Sequence, residues 1–285
     1  MKNDEICLNG DIVGRREASV PVMDRGFLYG EGFFETTRVC RGVPFRLGEH
    51  LERMRAACQK ADWDWSPDGK EIRGDAERLI ERKGISDGYL RVTVSGGVDV
   101  SGGGDLRPAV MIDARRMELN PIDDASSMRL VRAPWRRNET SPFAAMKSLS
   151  YQENKLAMRL AARMGGDEVY FLNTKGNLAE GAISNLFWVS GRHVYTPAES
   201  QGLLPGIKRR VVLEVCEEEG IPTTCGAFSE KALLEAEEVF CTNSLRGVIP
   251  VEDILHPHRI TVPGRDVTER VQSLTATRIK QECGS

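Results

Sequence analysis

A long apolar run, paired cysteines and a phosphate-binding glycine loop are all missing from this sequence of 285 residues. No run approaches the roughly 18 consecutive apolar residues that a membrane-spanning helix needs, so we expect no membrane partner. The opening MKNDEICLNG is polar and acidic, unlike a secretory signal peptide. The seven cysteines form no CxxC pair and are odd in number. This pattern predicts reduced, mostly buried thiols in a cytoplasmic protein.

Charge and short motifs exclude further classes of protein. Lys and Arg number 39 against 42 Asp and Glu, and the formal net charge of −3 argues against a nucleic-acid-binding surface. Neither a GxxxxGKS/T loop nor a complete GxGxxG at a strand-to-helix turn occurs, which disfavours the nucleotide-binding folds. Histidines and cysteines show no metal-ligand spacing, and no nucleophile elbow supports Ser/His/Asp catalysis. Composition therefore excludes several classes without indicating a function.

Strand-like and helix-like stretches mix along the chain without strict alternation, which predicts a mixed α and β protein rather than a doubly wound sheet. The length corresponds to about two domains. The polar stretch 118–127 contains a proline and separates two predicted strands, so we predict an interdomain linker there. The predicted domains are a small N-terminal α/β domain over 1–117 and a larger C-terminal domain over 128–285.

Periodicity and turn residues predict the individual elements. Apolar residues at helical spacing predict helices around 51–58 and 156–164, with further helices at about 208–219, 228–237 and 268–282. Short β-prone runs bounded by turn residues predict strands at 89–95, 108–113, 128–133, 168–172, 185–189 and 237–242.

Five motif segments occur in a fixed order along most of the chain. They are DRGFLYGEGFFETTRV with EHLER (24–39 and 49–53), MKSLSY (146–151), AEGAISNLF (179–187), LLPGIKR (203–209) and FCTNSLRG (240–247). In this order and at these separations they resemble the fold type IV enzymes that depend on pyridoxal 5′-phosphate (PLP), the class IV aminotransferase family. That family includes branched-chain aminotransferases, D-amino acid aminotransferases and aminodeoxychorismate lyases. The resemblance extends from Asn9 to about Val251.

The resemblance implies a fold and a set of partners. It implies a two-domain protein whose larger C-terminal domain is mixed and β-barrel-like and carries the PLP lysine. It also implies PLP as the cofactor, an amino acid and a 2-oxo acid as small-molecule substrates, and a homodimer.

Lys147 is the residue to which the resemblance assigns catalysis. Such an enzyme needs a lysine that holds PLP as a Schiff base and later moves a proton between the substrate Cα and the cofactor C4′. Lys147 lies among Ala144, Ala145, Met146 and Leu149, and burial among such neighbours would lower its pKa and free the amine. The alternative is a solvated lysine at a helix start, where the helix dipole disfavours a positive charge.

Two further residues are implied to contact the cofactor ring. PLP acts as an electron sink only while its pyridine nitrogen stays protonated, and Glu180 is implied to be the carboxylate beside that nitrogen. Tyr151, four residues after Lys147, is implied to hydrogen-bond the cofactor O3′. The alternatives are a solvated turn acid for Glu180 and a buried core tyrosine for Tyr151, while Asn185 is expected to hold the turn.

The phosphate of PLP needs a fixed cation and backbone N–H groups such as those at a helix N-terminus. The resemblance implies Arg53 as the cation and Ser244 as a hydroxyl donor. It implies the helix start at Ile207 and Lys208 as the source of amides, although many relatives have threonine in place of Lys208. The alternative for Arg53 is a surface arginine paired with Glu49, four residues earlier.

The predicted substrate-binding residues are Tyr29, Phe34, Arg38 and Arg246. In the lyase and D-amino acid branches, an arginine at the end of a strand binds the substrate carboxylate. The corresponding residues of this chain, 94–97, are VSGG and include no arginine. We therefore predict that Arg246 binds the substrate carboxylate, with Arg38 and Arg136 as weaker candidates. Tyr29 and Phe34 match pocket-lining positions, one of which reaches across a dimer interface in relatives. Ordinary surface or core packing is the alternative for all of them.

The implied activity is transfer of an amino group between an amino acid, D or L, and a 2-oxo acid. The chain fits no subgroup cleanly, because Phe34 aligns with a tyrosine of the D-amino acid enzymes and Tyr151 stands where the lyase has arginine. One alternative is an aminodeoxychorismate lyase, which eliminates pyruvate to form p-aminobenzoate. The other is a non-catalytic PLP-binding protein, against which intact Lys147 and Glu180 count.

Overall fold

A computed structural model describes residues 4–63, 68–99, 106–117, 126–255 and 258–284. The chain forms two compact units. Unit 1 comprises Met1–Leu119, Met146–Tyr151 and Ile279–Ser285, and unit 2 comprises Asn120–Ala145 and Gln152–Arg278. Most of the predicted linker at 118–127 lies outside the described residues.

The segment that contains Lys147 groups with unit 1, whereas the predicted division places this lysine in the C-terminal domain. The cause is backbone pairing between this segment and the strand that begins at Gly32. The Phe34 N–H donates to the Lys147 carbonyl oxygen at 2.9 Å, and the Leu149 N–H donates to the Gly32 carbonyl oxygen at 2.9 Å. These bonds tie the lysine to residues more than a hundred positions earlier.

Unit 1 combines an antiparallel sheet with helices. Its strands are β1 (Glu5–Leu8), β2 (Asp11–Gly14), β3 (Gly32–Cys40), β4 (Val43–Pro44), β5 (Gly88–Ser95), β6 (Val98–Asp99), β7 (Leu106–Arg107) and β8 (Val110–Arg116). Its helices are α1 (Arg25–Tyr29), α2 (Leu47–Lys60) and α3 (Gly69–Lys83). The six-stranded sheet has the order β2-β1-β8-β5-β3-β4, and adjacent strands are antiparallel.

The core of unit 1 follows from two periodicities. Alternate residues of β5 are buried, so that Leu90, Val92 and Val94 enter the core, as expected for a strand with one buried face. In α2 the buried residues recur every three or four positions and include Leu51 and Met54. The structure thus contains the predicted strand at 89–95 and the predicted helix around 51–58.

Unit 2 is built on a mixed sheet of nine strands. They are β9 (Met128–Arg132), β10 (Glu168–Leu172), β11 (Leu178–Gly181), β12 (Asn185–Ser190), β13 (His193–Pro197), β14 (Thr223–Gly226), β15 (Glu238–Asn243), β16 (Gly247–Leu255) and β17 (Arg259–Thr261). Its helices are α4 (Gln152–Arg163), α5 (Ile207–Glu218) and α6 (Glu230–Leu234), with a 3₁₀ turn at Glu199–Gln201. The C-terminal helix α7 (Asp266–Glu282) begins in unit 2, and its residues from Ile279 onward belong to unit 1. The strand order is β11-β10-β9-β16-β15-β12-β13-β14, with β17 beside β16. Strand β9 runs parallel to β10 and β16, and β13 runs parallel to β14.

Aromatic side chains fill much of the core of unit 2. Phe187 on β12 and Phe240 on β15 are fully buried and stack with their ring centroids 4.8 Å apart. On the other face of β12, Trp188 meets Phe228 edge to face at 4.9 Å. Buried residues on both faces of β12 explain why its sequence is a continuous apolar run rather than an alternating one.

All seven cysteines lie within the described ranges as free thiols. Six are buried and Cys225 is exposed, which confirms the prediction of mostly buried thiols. No helix within those ranges combines the length and the apolar character needed to cross a membrane.

Candidate active site

In unit 1, Lys147 lies on a short extended segment beside β3. Ser148 forms an isolated antiparallel bridge with Phe33. The approach depends on Gly32, because a Cβ at that position would come within 2.4 Å of a Leu149 methyl carbon and of a backbone oxygen. Any larger residue at position 32 would therefore displace the lysine segment.

The amine of Lys147 faces aromatic rings. Its Nζ lies 4.6 Å from the ring centroid of Phe34 and 5.7 Å from that of Tyr151. These two rings meet edge to face at 5.2 Å. The Arg91 guanidinium lies 4.0 Å from the Phe34 centroid, and burial lowers the pKa of Arg91. The structure therefore brings three predicted site residues together, and aromatic faces that attract cations orient the lysine amine.

Arg53 is held by a buried carboxylate. Its Nε and Nη2 donate to the two oxygens of Glu35 at 2.8 and 2.7 Å, and His50 Nδ1 lies 2.7 Å from Glu35 Oε2. Burial would raise the pKa of Glu35, but the charge on Arg53 and the hydrogen bonds with His50 and Arg53 lower it to about 2. Glu49, the predicted alternative partner of Arg53, instead lies 3.4 Å from Arg46. Arg53 is thus oriented by a bidentate ion pair with 11% of its side chain exposed.

The other predicted residues of unit 1 have different surroundings. Arg38 is buried on β3, on the same sheet face as Phe34, because residues separated by an even number of positions share a face. Tyr29 ends α1 and is 69% exposed. Arg38 is therefore placed on the sheet face of the lysine cluster, whereas Tyr29 lies on the surface of unit 1.

In unit 2, Glu180 lies near the end of β11 and is buried. Its Oε2 accepts the Leu204 N–H at 3.0 Å and lies 3.5 Å from the Asn185 Nδ2. Asn185 Nδ2 also donates to the Leu204 carbonyl at 2.9 Å, and Arg137 Nη2 lies 3.8 Å from Glu180 Oε1. Glu180 is thus a buried acid among hydrogen-bond donors and a cation rather than a solvated turn residue.

The N-terminus of α5 begins beside Asn185. Gly206 is the N-cap residue, and a Cβ at that position would come within 2.0 Å of the Asn185 Oδ1. Glycine is therefore required there, and it has no side chain with which to cap the amides of Ile207 and Lys208. A helix N-terminus of this kind is suited to an anion, because the N–H groups of its first turn lack intrahelical acceptors. The predicted phosphate-binding amides thus begin a regular 12-residue helix.

Ser244 and Arg246 lie in the turn from β15 to β16. Asn243 Oδ1 accepts the backbone N–H groups of Leu245 and Arg246 at 3.1 and 2.8 Å, which fixes the turn. Ser244 is half-buried in this turn. The Arg246 guanidinium donates to the Ser126 carbonyl at 3.1 Å. One nitrogen of the Arg246 guanidinium is therefore already engaged within this unit.

Four residues that surround the predicted site residues were not predicted to have a role. They are Glu35, His50, Arg91 and Arg137. One signal was available for His50, which precedes Arg53 by three residues and so lies on the same face of α2. The contact between Glu35 and Arg53 joins a strand to a helix and carries no comparable local signal.

The fold matches that of solved aminotransferase structures. A structure of the branched-chain amino acid aminotransferase from Thermobaculum terrenum in its PLP form matches with a TM-score of 0.87, covering 99% of this chain and 95% of that one at 23% identity. That likeness defines the fold as fold type IV. Residues 32–254 match the family model of amino-transferase class IV, and the chain belongs to this family.

Two curated relatives show how varied the family is. The chain is 31% identical over 282 residues to the aminodeoxychorismate lyase of Bacillus subtilis (strain 168), covering 96% of this chain and 94% of the relative. It is 28% identical over 256 residues to the D-alanine aminotransferase of Bacillus licheniformis, covering 88% of each. The predicted resemblance is thereby confirmed at the level of the family.

Proposed function

We propose that this protein is a PLP-dependent aminotransferase that moves an amino group between an amino acid, D or L, and a 2-oxo acid. The observation that carries the proposal is the setting of Lys147, whose amine lies against Phe34 and Tyr151. The lyase branch has arginine at the position of Tyr151. In this protein an aromatic ring therefore lies near the Lys147 amine, where an arginine would add a second positive charge. Family membership and the PLP form of a structure with the same fold support the cofactor.

The residues around the lysine and Glu180 fit the reactive part of PLP. We propose that Lys147 holds the cofactor covalently, that Tyr151 hydrogen-bonds O3′, and that Glu180 faces the pyridine nitrogen. When bound, PLP withdraws electrons from the substrate Cα and makes its proton acidic. Once the substrate amine has displaced it from the cofactor, the free Lys147 amine would be the base that takes and holds this proton. Glu180, with Arg137 beside it, provides the negative charge that keeps the pyridine nitrogen protonated.

The remaining predicted cofactor residues fit a phosphate. We propose that Arg53 is its cation and that the backbone N–H groups of Ile207 and Lys208 and the hydroxyl of Ser244 are hydrogen-bond donors. Two observations support this proposal. The Glu35 carboxylate fixes the Arg53 guanidinium, and the space beside Gly206 at the start of α5 would be filled by a Cβ atom. Charge-assisted bonds from such preorganised donors are the strong ones.

We also propose a cytoplasmic homodimer, with a surface formed by residues 20–29 as part of its interface. Six large apolar side chains in this stretch are exposed: Val20, Val22, Met23, Phe27, Leu28 and Tyr29. Contiguous exposed apolar residues indicate an interaction surface. For the substrate, Phe34 and Arg38 share one face of β3, which supports a pocket wall there, and Tyr29 and Arg246 remain candidates.

Half-reactions test the proposed activity. Purified holoenzyme is mixed with single L- and D-amino acids, and the change in cofactor absorbance is followed together with release of the 2-oxo acid. We expect at least one amino acid to convert the cofactor to its amino form. If the protein is colourless and takes up no added PLP, the cofactor assignment is wrong.

The 31% sequence identity with the Bacillus subtilis lyase supports the second candidate, an aminodeoxychorismate lyase. If no amino acid gives a half-reaction but aminodeoxychorismate yields p-aminobenzoate and pyruvate, the lyase replaces the aminotransferase. Bound PLP with neither reaction would indicate the third candidate, a non-catalytic PLP-binding protein.

A further inference from the structure

A second glutamate of unit 2, Glu168, is buried and has no part in the proposed reaction. It begins β10 and is 1% exposed. Its carboxylate accepts four hydrogen bonds, from Val169 N (2.9 Å), Ala182 N (2.9 Å), Ile183 N (3.2 Å) and Ser184 Oγ (2.9 Å). Three of these donors belong to the turn that joins β11 to β12.

The donors around Glu168 match an ionised carboxylate. Each oxygen accepts two bonds, and backbone N–H groups can only donate. Burial raises the pKa of Glu168 above its usual value, and the four hydrogen bonds counter only part of that rise. A buried charge is tolerated where fixed donors replace water, so the turn and the carboxylate stabilise each other.

The turn closes tightly over this carboxylate. The Gly181 N–H donates to the Ser184 carbonyl at 2.8 Å. A Cβ at Gly181 would come within 2.4 Å of the Ser184 Oγ and 3.1 Å of the Glu168 Cδ. Only glycine therefore fits at 181, and the residues on either side of the turn, Glu180 and Asn185, are held at a fixed separation.

We propose that Glu168 is a positioning residue whose carboxylate holds the 181–184 turn and thereby sets Glu180 and Asn185 against Leu204 at the approach to α5. This inference rests on the proposed role of Glu180 in binding PLP. Glu168 is not in hydrogen-bond contact with Leu204, and the connection runs through the turn to Glu180 Oε2, which accepts the Leu204 N–H. Displacing the turn would therefore disturb both the acid for the pyridine nitrogen and the start of α5.

Glu238 offers a matched control for the effect of losing a buried glutamate. It is 5% exposed and accepts the N–H groups of Val267 and Thr268 at 3.0 and 2.7 Å and the Thr268 hydroxyl at 2.7 Å. Those donors begin α7 and lie outside the proposed PLP residues. Glu168→Gln and Glu238→Gln each put an amide N–H₂ where backbone donors converge, so both should lower the stability of the full chain.

The test compares amide hydrogen exchange and PLP binding in the two variants. Before PLP is added, Glu168→Gln should speed exchange of the Leu204 amide about ten-fold or more relative to Glu238→Gln at equal global stability. With PLP, Glu168→Gln should raise the dissociation constant about ten-fold or more and move the pH dependence of the cofactor absorbance. Glu238→Gln should change neither quantity beyond its effect on global stability.

Equal Leu204 exchange and equal PLP affinity in the two variants would overturn the proposal, because Glu168 would then be only a stabilising residue. If Glu168→Gln does not fold, Ser184→Ala removes one donor to the same carboxylate, and it should produce smaller changes of the same sign. The proposed function fails separately, since wild-type protein that binds no PLP refutes it whatever the Leu204 exchange shows.

Discussion

At the scale of single residues, strand β3 divides its two faces between different tasks. Phe34 points toward the Lys147 amine, while the next residue, Glu35, faces α2 and holds Arg53 and His50. A buried carboxylate needs such partners, because an uncompensated charge in the interior is costly. The orientation of Arg53 therefore depends on Glu35, a residue to which the sequence assigned no role.

Replacing Glu35 should change the stability of the protein in acid. Its pKa is lowered from 4.5 to about 2, so the ionised form stabilises the fold above about pH 4.5, and this stabilisation is lost as the pH falls toward 2. Between about pH 5.5 and about pH 3, wild type should lose about 2 kcal/mol more unfolding free energy than Glu35→Gln. Urea unfolding measures both values. Exposed Glu52 on α2 is the control position, and equal losses in wild type and Glu35→Gln would refute the prediction.

Removing the Lys147 amine should abolish both activity and the absorbance of lysine-bound cofactor, because alanine has no nucleophile for PLP. Exposed Lys155 on α4 is the control, and Lys155→Ala should keep both signals. Spectra of the purified proteins with added PLP provide the measurement. A Lys147→Ala protein with the wild-type spectrum would show that another lysine holds the cofactor.

At the scale of elements, six strands and five helices were predicted, because their apolar residues recur with the right period. The two nine-residue strands, β3 and β16, were not predicted; both are buried along almost their whole length and so do not alternate. Helix α3 was not predicted either, because its 15 residues hold few large apolar side chains and two glycines. Its ends do carry a recognisable signal. The Asp68 carboxylate accepts the Lys70 N–H at 2.7 Å, and Gly84 ends the helix in the left-handed conformation with φ of 59°.

Two glycine substitutions should have opposite effects. In Gly206→Ala the new Cβ would overlap Asn185, so the unfolding free energy should fall by about 1–3 kcal/mol and PLP binding should weaken. In Gly74→Ala, at an exposed position inside α3 with open space for a Cβ, it should rise by about 0.5–1 kcal/mol with PLP binding unchanged. Thermal unfolding and PLP titration measure both. Unchanged PLP affinity in Gly206→Ala would remove the start of α5 from the proposed phosphate site.

At the scale of the whole molecule, the exposed apolar side chains of residues 20–29 predict self-association. Phe27 is 72% exposed, and burying it against a second copy would be favourable because apolar surface leaves water. Phe27→Asp should therefore shift the protein from dimer to monomer in sedimentation velocity. Leu156→Asp, at a 47% exposed position on α4, should leave the dimer intact. A wild-type monomer, or a Phe27→Asp dimer of unchanged affinity, would contradict the proposed interface.

The sequence alone determined the family, the mixed α and β composition, five helices and six strands, because motifs and hydrophobic periodicity are local properties of the chain. It also singled out Lys147, Phe34 and Tyr151, which the structure brings together. Only the tertiary structure decided that the lysine segment pairs with β3 and that Glu35 orients Arg53. Hydrogen bonds between residues distant in sequence orient these groups, and such bonds leave no periodic signal.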